Sequence, residues 1–231
     1  MNKVKISSEV AYLIGIILMA FSVAMITAAN FGVSMLIAPS LILSMKFNFL
    51  TFGQWEYIIQ GTLFIIMCIW VKKIKPIYFF AFFSSIAFAT FLDLFRLLPF
   101  AKPEFYLAFE NSLTIRILLF VVADLLIGIS LAFAFKSYLY PQTTDFFTKC
   151  ITFKFNYSLA KFKLIYDIVF LTISILLSLC LFKGFQGIGI GTVVITLFNG
   201  PLIGFFTKLY DKIFVFEPTF KKFSKIFEMK K

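Results

Sequence analysis

The chain has 231 residues, 61% hydrophobic and 14% charged, with a net charge of +11 and no histidine. Soluble domains carry roughly 25% charged residues, so this composition excludes an ordinary water-soluble fold. The missing imidazole excludes His-based acid–base catalysis, His-ligated zinc or haem and a simple physiological-pH switch, and Lys and Arg scattered between apolar runs exclude a nucleic-acid-binding face.

Six apolar runs, at about 10–30, 52–71, 77–97, 113–135, 162–182 and 188–208, each approach the roughly 20 residues that cross about 30 Å of hydrocarbon. They fall into two halves with one order: long span, short Pro-containing segment, long span, long span. The expected fold is all-α and integral to the membrane, with six transmembrane helices in a 3+3 inverted repeat. Three crossings per copy is an odd number, so the copies are inverted, a common build for small-molecule transporters. One membrane domain covers residues 1–231: repeat 1 at about 10–97, repeat 2 at about 113–208, and a basic tail at 209–231.

Span 1 carries a row of small residues, Ala20, Ala24 and Ala28, which Gly128 and Ala132 answer in span 4. Such rows let helices approach closely in lipid. Thr27-Ala28-Ala29 is a poor signal-peptidase site and the preceding apolar run is long, so span 1 reads as a retained helix. The two short segments follow spans 1 and 4. Pro39 lies inside Val33–Met45 and Pro141 opens 141–153, so each segment is expected to interrupt a helix. Paired interruptions at matching places are a pointer to a transport site; the alternative is two short interfacial helices linking spans.

Span 2 contributes Gln60, with Glu56 nearer the end of the span; span 3 contributes Ser84 and Ser85. Asp93 and Arg96, near the outer end of span 3, are close enough for a local ion pair. Asp124 lies about eleven residues into span 4, near mid-depth at 1.5 Å per residue. A charge at that depth costs about 2.5–3.5 kcal/mol or more, so it is expected to face the bundle interior. It is a candidate to bind a cation or carry a coupling proton; hydrogen bonding to a neighbouring helix is the structural alternative. Asp145 in the second short segment is a weaker candidate. Span 5 places Asp167 at the position equivalent to Gln60, and span 6 contributes Asn199. Asp124, Asn199, Gln60, Asp167, Ser84 and Ser85 are together the expected lining of one substrate cavity. Gly200-Pro201 in mid-span is expected to kink or interrupt the last helix.

With six crossings and a cytoplasmic N-terminus, seventeen of the twenty-two Lys and Arg face the cytoplasm, including Lys72, Lys73, Lys75, Lys230 and Lys231. Lys46, Arg96, Lys102, Arg116 and Lys183 face the other side. This bias follows the positive-inside rule and places both termini in the cytoplasm. The Phe- and Lys-rich tail reads either as an amphipathic segment on an anionic membrane surface or as a solvated basic tail. Cys68, Cys150 and Cys180 form no CxxC pair, and no cofactor or metal motif is present, so neither is expected.

Span 6 begins Gly187-Ile188-Gly189-Ile190-Gly191-Thr192 and continues to Asn199-Gly200-Pro201. This GxGT run followed by Gly-Pro resembles the last helix of the YczE/YyaS/YitT family of bacterial membrane proteins. Phe31-Gly32-Val33-Ser34 after span 1, and Tyr140-Pro141 through Asp145 after span 4, fit the same pattern. The resemblance covers nearly the whole chain, and its most specific part is Gly189, Gly191, Thr192, Gly200 and Pro201. Ser34 stands where the family commonly has proline, and the first half lacks the GxGT run. The resemblance implies a polytopic protein of the bacterial inner membrane, generally described as an uncharacterised membrane protein or permease.

Three functions remain open on the sequence: a small-molecule permease with a midplane site, the substrate-binding membrane subunit of a multi-component importer, or a non-transporting accessory factor. A dry, fully packed bundle would favour the last. An enzyme is the least expected, since no paired catalytic motif accompanies the absent histidine. Expected partners are the bilayer and an unidentified small molecule, with a proton or cation as coupling ion; oligomeric state is not readable.

Overall fold

A computed structural model describes residues 3–72, 75–157 and 159–227. Lys73, Lys230 and Lys231 of the basic clusters lie outside the described residues. The chain enters through a short strand, β1 (Val4–Ser7), and continues as α1 (Ser8–Ala29), α2 (Ala38–Lys46), α3 (Phe52–Val71) and α4 (Phe79–Arg96). A short connector with a one-turn helix, α5 (Pro103–Leu107), leads to α6 (Ser112–Lys136), α7 (Thr143–Phe155), α8 (Leu159–Phe182) and α9 (Ile190–Ile213). Strand β2 (Phe214–Glu217) and the short helix α10 (Lys221–Ser224) close the chain.

Helices α1, α3, α4, α6, α8 and α9 are long and apolar enough to cross a membrane, and the protein is an all-α, multi-pass membrane protein. The helix ends fall within a few residues of the expected spans, except that α9 runs on to Ile213 and shortens the tail.

The two halves correspond in which helices touch. The first spans of the two halves, α1 and α6, form the most extensive contact of the bundle. Gly15 permits it: a Cβ there would lie 2.8 Å from the Ser130 carbonyl oxygen of α6. Ala20, Ala24, Ala28 and Ala132 are fully buried, as the small-residue rows require, whereas Gly128 faces Leu202 and Phe206 of α9. Helix α1 packs on α4 as α6 packs on α9. The short helices are exchanged between halves, α2 packing on α8 and α7 on α3, besides the contact each makes with the second span of its own half.

The correspondence is not complete. Helices α3 and α4 pack together, but α8 and α9 make no extended contact.

The short helices are buried in the bundle rather than laid on its surface: Ala38 to Ile42 and most of α7 are inaccessible. Neither proline interrupts a helix. Pro39 occupies the first turn of α2, where its missing N–H leaves no bond unmade, and Pro141 lies in the linker just before α7. Each proline therefore marks a helix start. Nor is α9 broken at Gly200-Pro201; it is continuous from Ile190 to Ile213. Both residues are exposed and a Cβ at Gly200 would meet nothing within 4 Å, so the proline ring has room outside the bundle, and one lost backbone bond is tolerated in a long membrane helix.

The termini are clasped. Strands β1 and β2 pair in parallel, Val4 opposite Phe214 and Ser7 opposite Glu217. The Glu9 carboxylate accepts from Tyr138 Oη at 2.7 Å, Ser7 Oγ at 2.7 Å, and the Thr219 and Phe220 backbone N–H groups at 3.1 Å each. Phe227 is buried against Phe80, Tyr138 and Tyr140. The tail is thus folded back on the bundle over much of its length, with Lys221, Lys222 and Lys225 on the exposed side.

Candidate functional site

The starts of the two short helices meet inside the bundle. Ser34 to Ile37, leading into α2, and Gln142, Thr144 and Asp145, opening α7, line one cavity of about 260 Å³. Span residues complete it: Glu56 and Gln60 from α3, Lys163 and Asp167 from α8, and Thr196 and Asn199 from α9. Glu56 and Gln60 are one turn apart on α3, and Lys163 and Asp167 stand at the equivalent positions of α8. Two repeats folded alike therefore present two i, i+4 polar pairs to one space, with a carboxyl on one wall where the other has an ammonium.

These groups are extensively bonded. Ser40 donates its hydroxyl to Glu56 Oε2, and Gln60 Nε2 donates to Glu56 Oε1 at 2.8 Å. Gln60 Oε1 accepts from the Thr144 N–H at 3.2 Å and lies 3.1 Å from Ser85 Oγ, which accepts from the Thr143 N–H at 2.9 Å. Side chains of α3 and α4 thus cap the buried start of α7, whose first N–H groups have no partner within their own helix. Glu56 is 1% exposed. Lys163 Nζ holds Asp167 Oδ1 at 2.9 Å.

Toward the end that carries both termini, a small void lined by Tyr12, Ser84, Pro141 and Gln142 adjoins the cavity. Tyr12 Oη bridges Ser84 Oγ and the Tyr140 carbonyl, the latter at 2.6 Å. On the α9 side the cavity wall includes Thr196 and Gly200, both exposed, where α8 and α9 stand apart. A larger, almost wholly apolar groove of about 560 Å³ runs between α3 and α8; without converging polar groups it fits hydrocarbon better than a polar solute.

Of the six residues expected to share a cavity, Gln60, Asp167 and Asn199 line it. Ser85 stands behind Gln60 as a buttress, and Ser84 belongs to the small void. Asp124 does not line the cavity. Phe120 lies against Gly191 and Gly128 against Leu202, so Asp124, one turn from each, occupies the stripe of α6 that α9 covers. It is 6% exposed and its Oδ1 has no hydrogen-bond partner among the described residues. Glu56, read from the sequence as shallow and peripheral, is on the wall, with Asp145, Lys163, Gln142 and Thr144. The i, i+4 spacing of Glu56 and Gln60 was the available signal. The Asp93–Arg96 pair does not form: Asp93 caps α3 through the Gly53 N–H at 2.8 Å and the Thr51 hydroxyl, and Arg96 stacks over Phe52.

The glycine motif of span 6 has a packing role. The Gly191 N–H donates to the Phe31 carbonyl at 2.8 Å and the Val33 N–H to the Gly187 carbonyl at 3.3 Å. Gly32 has φ +98°, and a Cβ on it would lie 2.5 Å from Gly189 N and Thr192 Oγ1. Gly189, Gly191 and Thr192 thus dock on the Phe31–Val33 turn, joining α9 of one half to the turn after α1 of the other. Pro39, Pro141, Gly200 and Pro201 lie apart from that junction.

Six helices long and apolar enough to cross a membrane define a polytopic membrane protein, and two buried short helices, one from each half, meet at a cavity of mixed polar and apolar lining. The chain belongs to DUF6198, a family of unknown function, whose model matches residues 6–208. No curated protein and no solved structure matches it.

Proposed function

We propose that the protein is a small-molecule permease of the bacterial inner membrane, akin to the YczE/YyaS/YitT proteins its glycine motif resembles, and not an enzyme. The cavity at the meeting point of the two short helices, with Glu56, Asp145, Lys163 and Asp167 on its wall, carries this reading: intramembrane ionisable groups around a space are a functional arrangement by default, and binding between inverted repeats is the usual geometry of alternating access. The same cavity weighs against a packed accessory bundle. The Ala20, Ala24 and Ala28 row is buried within the chain, so it offers no small-residue face to a partner subunit of a multi-component importer. Both termini, with the seventeen basic residues on their side, face the cytoplasm under the positive-inside rule.

A screen of small polar solutes on purified protein, scored by melting temperature, tests the proposal. A solute should stabilise the protein saturably, and Asn199→Leu should abolish the shift while leaving the unliganded melting temperature within a few degrees. Stabilisation that survives Asn199→Leu, Gln60→Leu and Thr196→Leu alike would place binding elsewhere and contradict the proposal.

A further inference from the structure

The cavity has a charge character opposite to that of the chain. The protein carries 22 Lys and Arg against 11 Asp and Glu, yet the cavity wall holds three carboxyl groups, Glu56, Asp145 and Asp167, and one base, Lys163. Lys163 is already paired with Asp167, and Lys149, one turn from Asp145 on α7, offsets part of the Asp145 charge, so the wall itself keeps a net excess of carboxyl groups.

The converging helix starts would ordinarily suggest an anion, because the first N–H groups of a helix and its dipole favour negative charge. Here most of those donors are taken, the Ser40 and Asp145 N–H groups alone among them finding no acceptor within the described residues. Ile37 N and Ala38 N both donate to the Ser34 carbonyl, at 3.0 and 2.9 Å. Thr143 N donates to Ser85 Oγ, Thr144 N to Gln60 Oε1 and Phe146 N to the Gln142 carbonyl. An anion entering the cavity would find most of these N–H groups occupied and the Lys163 ammonium shared with Asp167.

What stands open is acceptor capacity. The Asp145 carboxyl takes no hydrogen bond from the described residues. Asn199 Oδ1 is buried and has no partner, and each Glu56 oxygen accepts only one bond although a carboxylate offers about four lone-pair sites. Acceptors in excess of donors are the complement of an ammonium group, which carries donors and no acceptor. The volume, about 260 Å³, is below the roughly 300–1,000 Å³ of sites for drug-sized ligands, so the ligand has few heavy atoms.

Resting on the reading of the cavity as a solute site, we propose that its ligand is a small organic cation with an ammonium-type head, held between Glu56 and Asp145 with Asn199 Oδ1 as a third acceptor. Exposed Thr196 and Gly200, where α8 and α9 stand apart, leave that side of the cavity open for the remainder of the ligand.

The test uses the full chain in lipid nanodiscs, with Cys68, Cys150 and Cys180 replaced by alanine and Ser34→Cys as a reporter in the wall. The rate of thiol alkylation by N-ethylmaleimide is measured with methylammonium chloride or guanidinium chloride, and with sodium acetate or sodium phosphate, against sodium chloride at equal ionic strength. The cations should slow alkylation severalfold and saturably while acetate and phosphate leave it unchanged. Glu56→Gln and Asp145→Asn should each remove the protection; should Glu56→Gln fail to fold, Asp145→Asn carries the test alone. Protection by acetate or phosphate but not by cations would overturn the ligand class and leave the solute site standing. Protection by none of the probes would overturn both, and cation protection that persists in both variants would overturn the assignment to Glu56 and Asp145.

Discussion

At the residue scale, the polar side chains inside the bundle divide by their partners. Gln60 receives the Thr144 N–H and holds Glu56, so it ties α3 to the start of α7. Gln60→Leu leaves a buried donor and a buried carboxyl short of partners, and should lower stability by about 1–3 kcal/mol, read as a fall in melting temperature. Asp124 is the opposite case, a carboxyl on the stripe of α6 that α9 covers, with one oxygen unpartnered. Asp124→Leu exchanges that group for an apolar side chain, where insertion scales penalise a charge by about 2.5–3.5 kcal/mol. It should therefore raise the melting temperature and leave solute binding in the cavity intact; lost binding with unchanged stability would make Asp124 part of the site. Depth along a span was legible in the sequence, and it singled out Asp124. Depth alone does not say which neighbour a side chain faces. That depends on where the short helices re-enter, and their re-entry brought the shallower Glu56 and the discounted Asp145 onto the wall.

At the element scale, the glycines of the last span sort by what a side chain would meet. Gly191 faces Phe120 and the Phe31 carbonyl, and Gly32 combines a positive φ with contact to Gly189 and Thr192. Gly200 and Gly204 face open space. Gly191→Ala and Gly32→Ala should each destabilise the protein, whereas Gly204→Ala should be neutral or stabilising by up to about 1 kcal/mol, the helix-propensity difference between the two residues. Thermal denaturation of the three variants checks the order, and equal losses in all three would contradict it. The GxGT run was visible as a pattern, but its partner, the turn at Phe31–Val33, is about 160 residues away in sequence and was linked to it only by family resemblance. The helix ends follow similar chemistry. Arg116 donates to the Ala29 and Asn30 carbonyls at the end of α1, and Lys154 to the Trp70 and Val71 carbonyls at the end of α3, each placing a cation at the negative end of a helix dipole.

At the scale of the whole molecule, hydropathy revealed the six spans and their division into threes because membrane crossing sets both length and composition. The exchange of short helices between halves and the missing α8–α9 contact were not legible, since both depend on packing rather than on any local pattern. The clasp of the termini was hidden for the same reason, in a tail whose Phe and Lys content suited solvent or membrane equally. Glu9→Ala removes the acceptor of four hydrogen bonds and should loosen the tail, seen as faster proteolysis after residue 213 with the six-helix bundle still folded. We propose that the cavity between the halves is a solute site reached in turn from the two faces of the membrane. The most direct measurement is the sidedness of a single cysteine at Asn199→Cys, in a chain otherwise free of cysteine, reconstituted in vesicles of known orientation and treated with a membrane-impermeant thiol reagent. A permease predicts labelling from either face, with a bound solute slowing both. Labelling from neither face, with the protein folded, would contradict it.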